Sequence, residues 1–143
     1  MQMRQVGLLL GGLLLVGCAG GSAGKIEIAL KDLKVTDCPE GTKANSSVSV
    51  NDAPNIPSRC YLIVGTAENP GTIPAQDVDV FGKIIDANGT PAITRRRVGS
   101  VASIPAGQSP FRLEVYLPAI SKAPFTLESM KAAGFTTKVL DKR

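Results

Sequence analysis

Apolar and polar positions alternate in short runs along most of this chain, with the period of an extended strand rather than of a helix. Ile26, Ile28 and Leu30 alternate with Lys25, Glu27 and Lys31, which predicts a strand beginning at Lys25. Leu33 and Val35 fall on the opposite parity, so a bulge or bend is expected near Lys31-Asp32. Cys60 to Ala67 is nearly continuous in apolar character, as suits a central strand. Asp77 to Asp86 puts Val78, Val80 and Ile84 on one parity and Phe81 and Ile85 on the other. Ala92 to Ile104 alternates through Ile93, Val98 and Val101, and Phe111, Leu113, Val115 and Leu117 alternate with Arg112, Glu114 and Tyr116. Phe125 to Met130 and Thr136 to Leu140 read as two further strands, although Leu127 to Gly134 also fits two helical turns ending at glycine.

Turn signals separate these runs. Glu68-Asn69-Pro70-Gly71 and Pro105-Ala106-Gly107-Gln108 reverse the chain, and Asn88-Gly89 marks a hairpin between two β runs. Thr36 to Arg59 is polar and rich in Asn, Ser and Pro. It reads as a long loop, of the kind that often carries function, with room for a short strand at 47–51. About seven short strands with turns between them predict an all-β domain, a β-sandwich.

Before Lys25 the pattern is of another kind. A basic residue, Arg4, precedes an apolar stretch from about Val6 to Val16, and small residues surround Cys18. This is the order of a secretory signal, and the stretch is too short to span a bilayer. Leu15-Val16-Gly17-Cys18 resembles the lipobox of bacterial lipoproteins. The resemblance implies cleavage after Gly17, diacylglycerol on the Cys18 sulfur and acylation of the new amino terminus. It divides the chain into a signal peptide at 1–17, an acylated Cys with a flexible tether at 18–24, and a folded domain at 25–143. Ala19 stands where inner-membrane retention would favour Asp, so the expected address is the periplasmic side of the outer membrane.

That compartment changes the reading of the cysteines. Of three in the chain, Cys18 is taken by lipid, leaving Cys38 and Cys60 as an even pair in an oxidising setting, which favours a disulfide. The other options for the pair are two free thiols or metal ligands, but the chain has no His and two Cys make half a zinc site. Metal and cofactor binding are not expected.

Residues 60 to 117 resemble part of the FxLYD type of immunoglobulin-like domain found in bacterial envelope proteins. The shared order is a strand, an Asn-Pro-Gly turn, an alternating strand ending Ile84-Ile85-Asp86-Ala87-Asn88-Gly89, a hairpin partner, and Ile104-Pro105-Ala106-Gly107-Gln108-Ser109-Pro110-Phe111-Arg112-Leu113. Where the family signature reads Phe-x-Leu-Tyr-Asp, this chain has Gly82-Lys83-Ile84-Ile85-Asp86. The resemblance implies an immunoglobulin-like β-sandwich that packs and interacts. It implies no particular reaction.

Composition narrows the function classes. A net charge of +4 is too weak to suggest nucleic acid without a clustered basic face. Aromatics are 4% of residues and Trp is absent, so base stacking is disfavoured. Nucleophilic catalysis most often needs His as base; Ser121-Lys122 and Ser129 with Lys131 lack the one-turn helical spacing that would replace it. Asp77 and Asp79 share a strand face, the chemistry of a weak Ca²⁺ contact or simply of a solvated strand end. Asn45-Ser46-Ser47 and Asn88-Gly89-Thr90 read as turns. Arg95-Arg96-Arg97 is the densest charge run, suited to a carboxylate, phosphate or lipid headgroup or to guarding an edge strand.

The chain is therefore expected to be a non-enzymatic, lipid-anchored envelope protein. Its membrane contact runs through Cys18, and other envelope proteins are its expected partners, with Arg95, Arg96 and Arg97 as a candidate contact. The alternative is a small-ligand or polysaccharide-binding module using the 37–59 loop, which would want exposed aromatics beyond Tyr61 and Tyr116.

Overall fold

A computed structural model describes residues 24–42, 56–93 and 96–139. The proposed signal peptide, Cys18, most of the tether, the weak strand at 47–51 and Arg95 lie outside these residues. The fold is all-β. The strands are β1 (Lys25–Asp37), β2 (Ser58–Asn69), β3 (Ala75–Ile85), β4 (Arg97–Ile104), β5 (Gly107–Pro118) and β6 (Thr126–Phe135). They form one antiparallel sheet in the order β4-β3-β6-β1-β2-β5. The expectation of about seven strands is corrected to six among the described residues.

Two of the sequence readings change, each for a local reason. The run 92–104 becomes a strand only at Arg97, because Pro91 and Ala92 still belong to the hairpin, with Ala92 N–H bonded to the Ile84 carbonyl at 2.7 Å. Phe125–Met130 and Thr136–Leu140 are not two strands. One strand, β6, runs through Ala132, Ala133 and Gly134 to Phe135, where small residues permit close approach to β3. The helical alternative for 127–134 is thereby excluded.

β1 serves two neighbours over different lengths. Lys25–Ile28 pairs with β6, and Ala29–Asp37 pairs with β2. The sheet curls around a core of Ile63, Val78, Val80, Ile84 and Leu117, none of which has measurable exposure. It curls far enough to be nearly a barrel. β4 and β5, the two ends of the order, come close to one another without forming a ladder. A Cβ at Gly99 of β4 would stand 2.9 Å from Leu113 Cδ1 of β5, so Leu113 would have to shift to admit a larger residue there.

The ladder is interrupted in a regular way. Between Lys31 and Lys34, between Gln76 and Asp79, and between Glu128 and Lys131, one strand carries one residue more than its partner. Asp32, Asp77 and Ser129 fall in these three gaps, and each has positive φ, between 47° and 53°. They are the residues of β-bulges, and Asp tolerates this conformation better than most residues. The bend expected at Lys31-Asp32 is the first of the three.

Two buried polar residues fix the loops. Asn69, 1% exposed, donates to the carbonyls of Ile73 (3.0 Å) and Ile104 (3.3 Å) and accepts the Gly71 N–H at 2.9 Å. Asp86 accepts the N–H groups of Asn88 and Thr90, both at 2.9 Å. That closes the Asn88-Gly89 hairpin, whose Gly89 takes φ of 77°.

Candidate functional site

The outer face of the β1-β6-β3-β4 part of the sheet gathers the chemistry that the core does not use. Register places Glu27, Ala133 and Asp79 in one row and Lys131 beside Phe81 in another; Lys25 and Phe135 pair a short way along. These positions alternate with the buried row Ile28, Ala132 and Val80, so they point away from the core. A groove of about 800 Å³ runs over this face, lined by Lys25, Glu27, Asp79, Phe81, Arg96 and Lys131 among others. A smaller hollow of about 440 Å³ adjoins it through Asp79 and Phe135.

Phe81 is the centre of the face and is 38% exposed. Two ladder irregularities flank it, one with β4 between Val80 and Phe81 and one with β6 between Phe81 and Lys83. Bulges re-aim side chains, and here an aromatic ring is presented to solvent between cationic residues. The alternation of apolar positions already put Phe81 on the parity opposite Val78, Val80 and Ile84. Phe135 had no such signal, because the sequence pattern ended one strand at Met130 and began another at Thr136.

The arginine run meets this face at its edge. Arg96 precedes β4, lines the groove and accepts the Gly82 N–H on its carbonyl at 3.0 Å. Arg97 opens β4 and pairs with Asp79 at 2.8 Å. Arg96 and Arg97 therefore do not sit on opposite faces of one continuous strand. Asp79 is engaged by that arginine and Asp77 accepts the Val139 N–H at 2.7 Å, so the two carboxylates bind protein groups. Among the described residues no three His, Cys, Asp or Glu side chains cluster as metal ligands.

The opposite part of the sheet is dressed differently. Lys31 and Glu68 form an exposed ion pair. The hydrogen bond from Lys31, then its charge, holds the Glu68 carboxyl below the usual carboxylate range, and the same contact raises Lys31. Tyr116 donates to Glu114, which raises the phenol above its ordinary value; partial desolvation adds to this. Cys38 and Cys60 are joined in a disulfide with Cα atoms 5.6 Å apart, so the long loop is tied at both ends. Tyr61, at the foot of that loop, packs edge-on against Phe125 with centroids 4.9 Å apart. It is a core ring rather than a platform for a sugar.

No known protein family, curated protein or solved structure matches the chain. Among the described residues no helix is long and apolar enough to cross a membrane.

Proposed function

We propose that this chain is a non-enzymatic lipoprotein of the bacterial cell envelope. It is anchored through acyl groups on Cys18, faces the periplasm, and acts as an interaction or accessory subunit of a larger envelope assembly. The observation that carries this reading is the ordered signal ending Leu15-Val16-Gly17-Cys18. Ala19 favours the outer membrane. The short Gly- and Ser-containing tether before Lys25 keeps the domain near the lipid surface.

The folded part is an immunoglobulin-like β-sandwich of the FxLYD type in this reading. The quoted residues between 60 and 117 and the all-β antiparallel architecture support it. The Phe81 groove supplies the contact surface: an exposed aromatic ring with cationic residues around it has the composition of an interface centre. Arg96 and Lys131 give it a preference for partners with acidic groups.

Replacing Cys18 tests the anchor. The wild-type chain is expected in the membrane fraction with the added mass of acyl chains. Cys18→Ser is expected to accumulate as an unlipidated precursor. Equal membrane fractionation of the two would overturn the proposal.

A further inference from the structure

Strand register gathers several turns at the end of the sheet where the tether enters. Lys25 stands opposite Phe135, Phe135 opposite Gln76, Ala75 opposite Ile104, and Asn69 opposite Gly107. The β2–β3 loop, the β4–β5 turn and the segment after β6 therefore lie at the end where β1 begins. Gly24 is fixed to this end. Its carbonyl accepts the Thr136 N–H at 2.9 Å, and its own N–H donates to Thr136 Oγ1 at 3.0 Å. Only residues 19–23 then separate the domain from Cys18. Fully extended, that stretch reaches about 20 Å at most.

Among the described residues, the exposed large apolar side chains include Ile73, 44% exposed, and Val139, 54% exposed, both at this end. Both stand on tied backbone. The buried Asn69 amide donates to the Ile73 carbonyl at 3.0 Å, and Asp77 accepts the Val139 N–H at 2.7 Å. The connecting segments of this end, 70–74, 105–106 and 136–139, hold no Asp or Glu, whereas Lys138 is exposed. The opposite end carries Asp37 and Glu40, both exposed. Apolar side chains beside a cation, without carboxylates, suit the boundary of an anionic bilayer.

We infer that the tether end of the domain rests on the lipid bilayer, with Ile73 and Val139 in the boundary between headgroups and acyl chains and Lys138 among the headgroups. The inference rests on the lipid-anchored reading, because acylation of Cys18 is what brings a bilayer to this end. It leaves Phe81, further along β3, free for a protein partner.

The chain has no Trp, so a single introduced Trp reports its own surroundings. Ile73→Trp, Val139→Trp and Ile120→Trp are each made in the full acylated chain and placed in vesicles of phosphatidylethanolamine and phosphatidylglycerol. Ile120 follows β5 at the opposite end and is 82% exposed, so an indiscriminate lipid contact would reach it first. Bromine on the lipid acyl chains is expected to quench the emission of the I73W and V139W variants severalfold more than that of I120W. Intact mass of each variant reports acylation separately. An acylated chain in which I73W or V139W is quenched no more than I120W overturns this inference alone. A chain without acyl mass overturns the anchor and this inference together.

Discussion

The β2-β5 ladder and the β3-β6 ladder belong to one sheet, yet they behave as opposites. β2 and β5 pair through twelve consecutive positions, from Ser58 with Pro118 to Asn69 with Gly107, without a shift. β3 and β6 pair with two shifts in a comparable length, and β3 with β4 adds a third. The regular ladder sends Tyr61, Ile63, Leu113, Val115 and Leu117 inward. The irregular one spends its bulges on the surface, where Phe81 is exposed in a groove edged by Arg96 and Lys131. Both ladders bury a row, Val78, Val80 and Ile84 on the irregular one, but the interrupted register also shapes a face for contact.

Substitutions on the two sides should separate these roles. Ile63, on the regular ladder, has no exposed surface, and truncation leaves a cavity under β1 and β5. Ile63→Ala is expected to destabilise by about 2–5 kcal/mol, read from urea unfolding. A loss below about 1 kcal/mol would place the packed centre elsewhere.

The disulfide should rank next. Cys38 and Cys60 are separated by 22 positions, so replacing both with Ala is expected to cost about 2–4 kcal/mol on the chain-entropy view. Two thiols alkylated in the non-reduced wild type would deny the bond altogether.

Phe81→Ala is the contrasting case. The ring is partly in solvent, so stability should change by no more than about 0.5 kcal/mol while partner contact is lost. A destabilisation as large as that of Ile63→Ala would make Phe81 a core residue and dissolve the comparison.

The smallest effect concerns the exposed Lys31–Glu68 pair, which bridges β1 and β2. The Glu68 pKa is lowered on folding, so its contribution is present above the unfolded carboxylate value and fades as pH falls through the folded one. Lys31 is raised, so its contribution is complete below the unfolded lysine value and fades as pH rises through the folded one. NMR titration of the Glu68 carboxyl carbon should show a midpoint below that of an ordinary glutamate. Lys31→Ala should raise it toward the ordinary value, with the Gln108 hydrogen bond still holding it down in part. An unchanged midpoint would mean that the pair does not persist in solution.

The same division explains what was legible in the sequence. The β2-β5 ladder was readable because β2 is a nearly continuous apolar run and the alternation of β5 is unbroken: Phe111, Leu113, Val115 and Leu117 point one way throughout. The bend after Lys31 was visible as a change of parity. The bulges at Asp77 and Ser129 were not, because only Ala75 and Gln76 precede the first in its strand, and Ala132-Ala133-Gly134 after the second carries no alternation. This is why one strand, β6, looked like the end of one strand and the start of another. Asn69 read as a turn residue, although it is the buried clamp of that turn, since polar type alone does not announce burial. The exposed Phe81 was marked by parity, but the groove around it needed β1, β3 and β6 to be brought side by side.

Cross-linking in cells tests most directly whether the irregular face is the contact surface of an envelope-anchored protein. A photoreactive phenylalanine analogue at position 81 would be compared with the same analogue at Lys34, exposed on β1 beside β2 and away from the groove. The account predicts a discrete adduct with another envelope protein from position 81, lost when Arg96 and Lys131 are both replaced by Glu, and none from position 34. No adduct from position 81, or equal adducts from both positions, would contradict it.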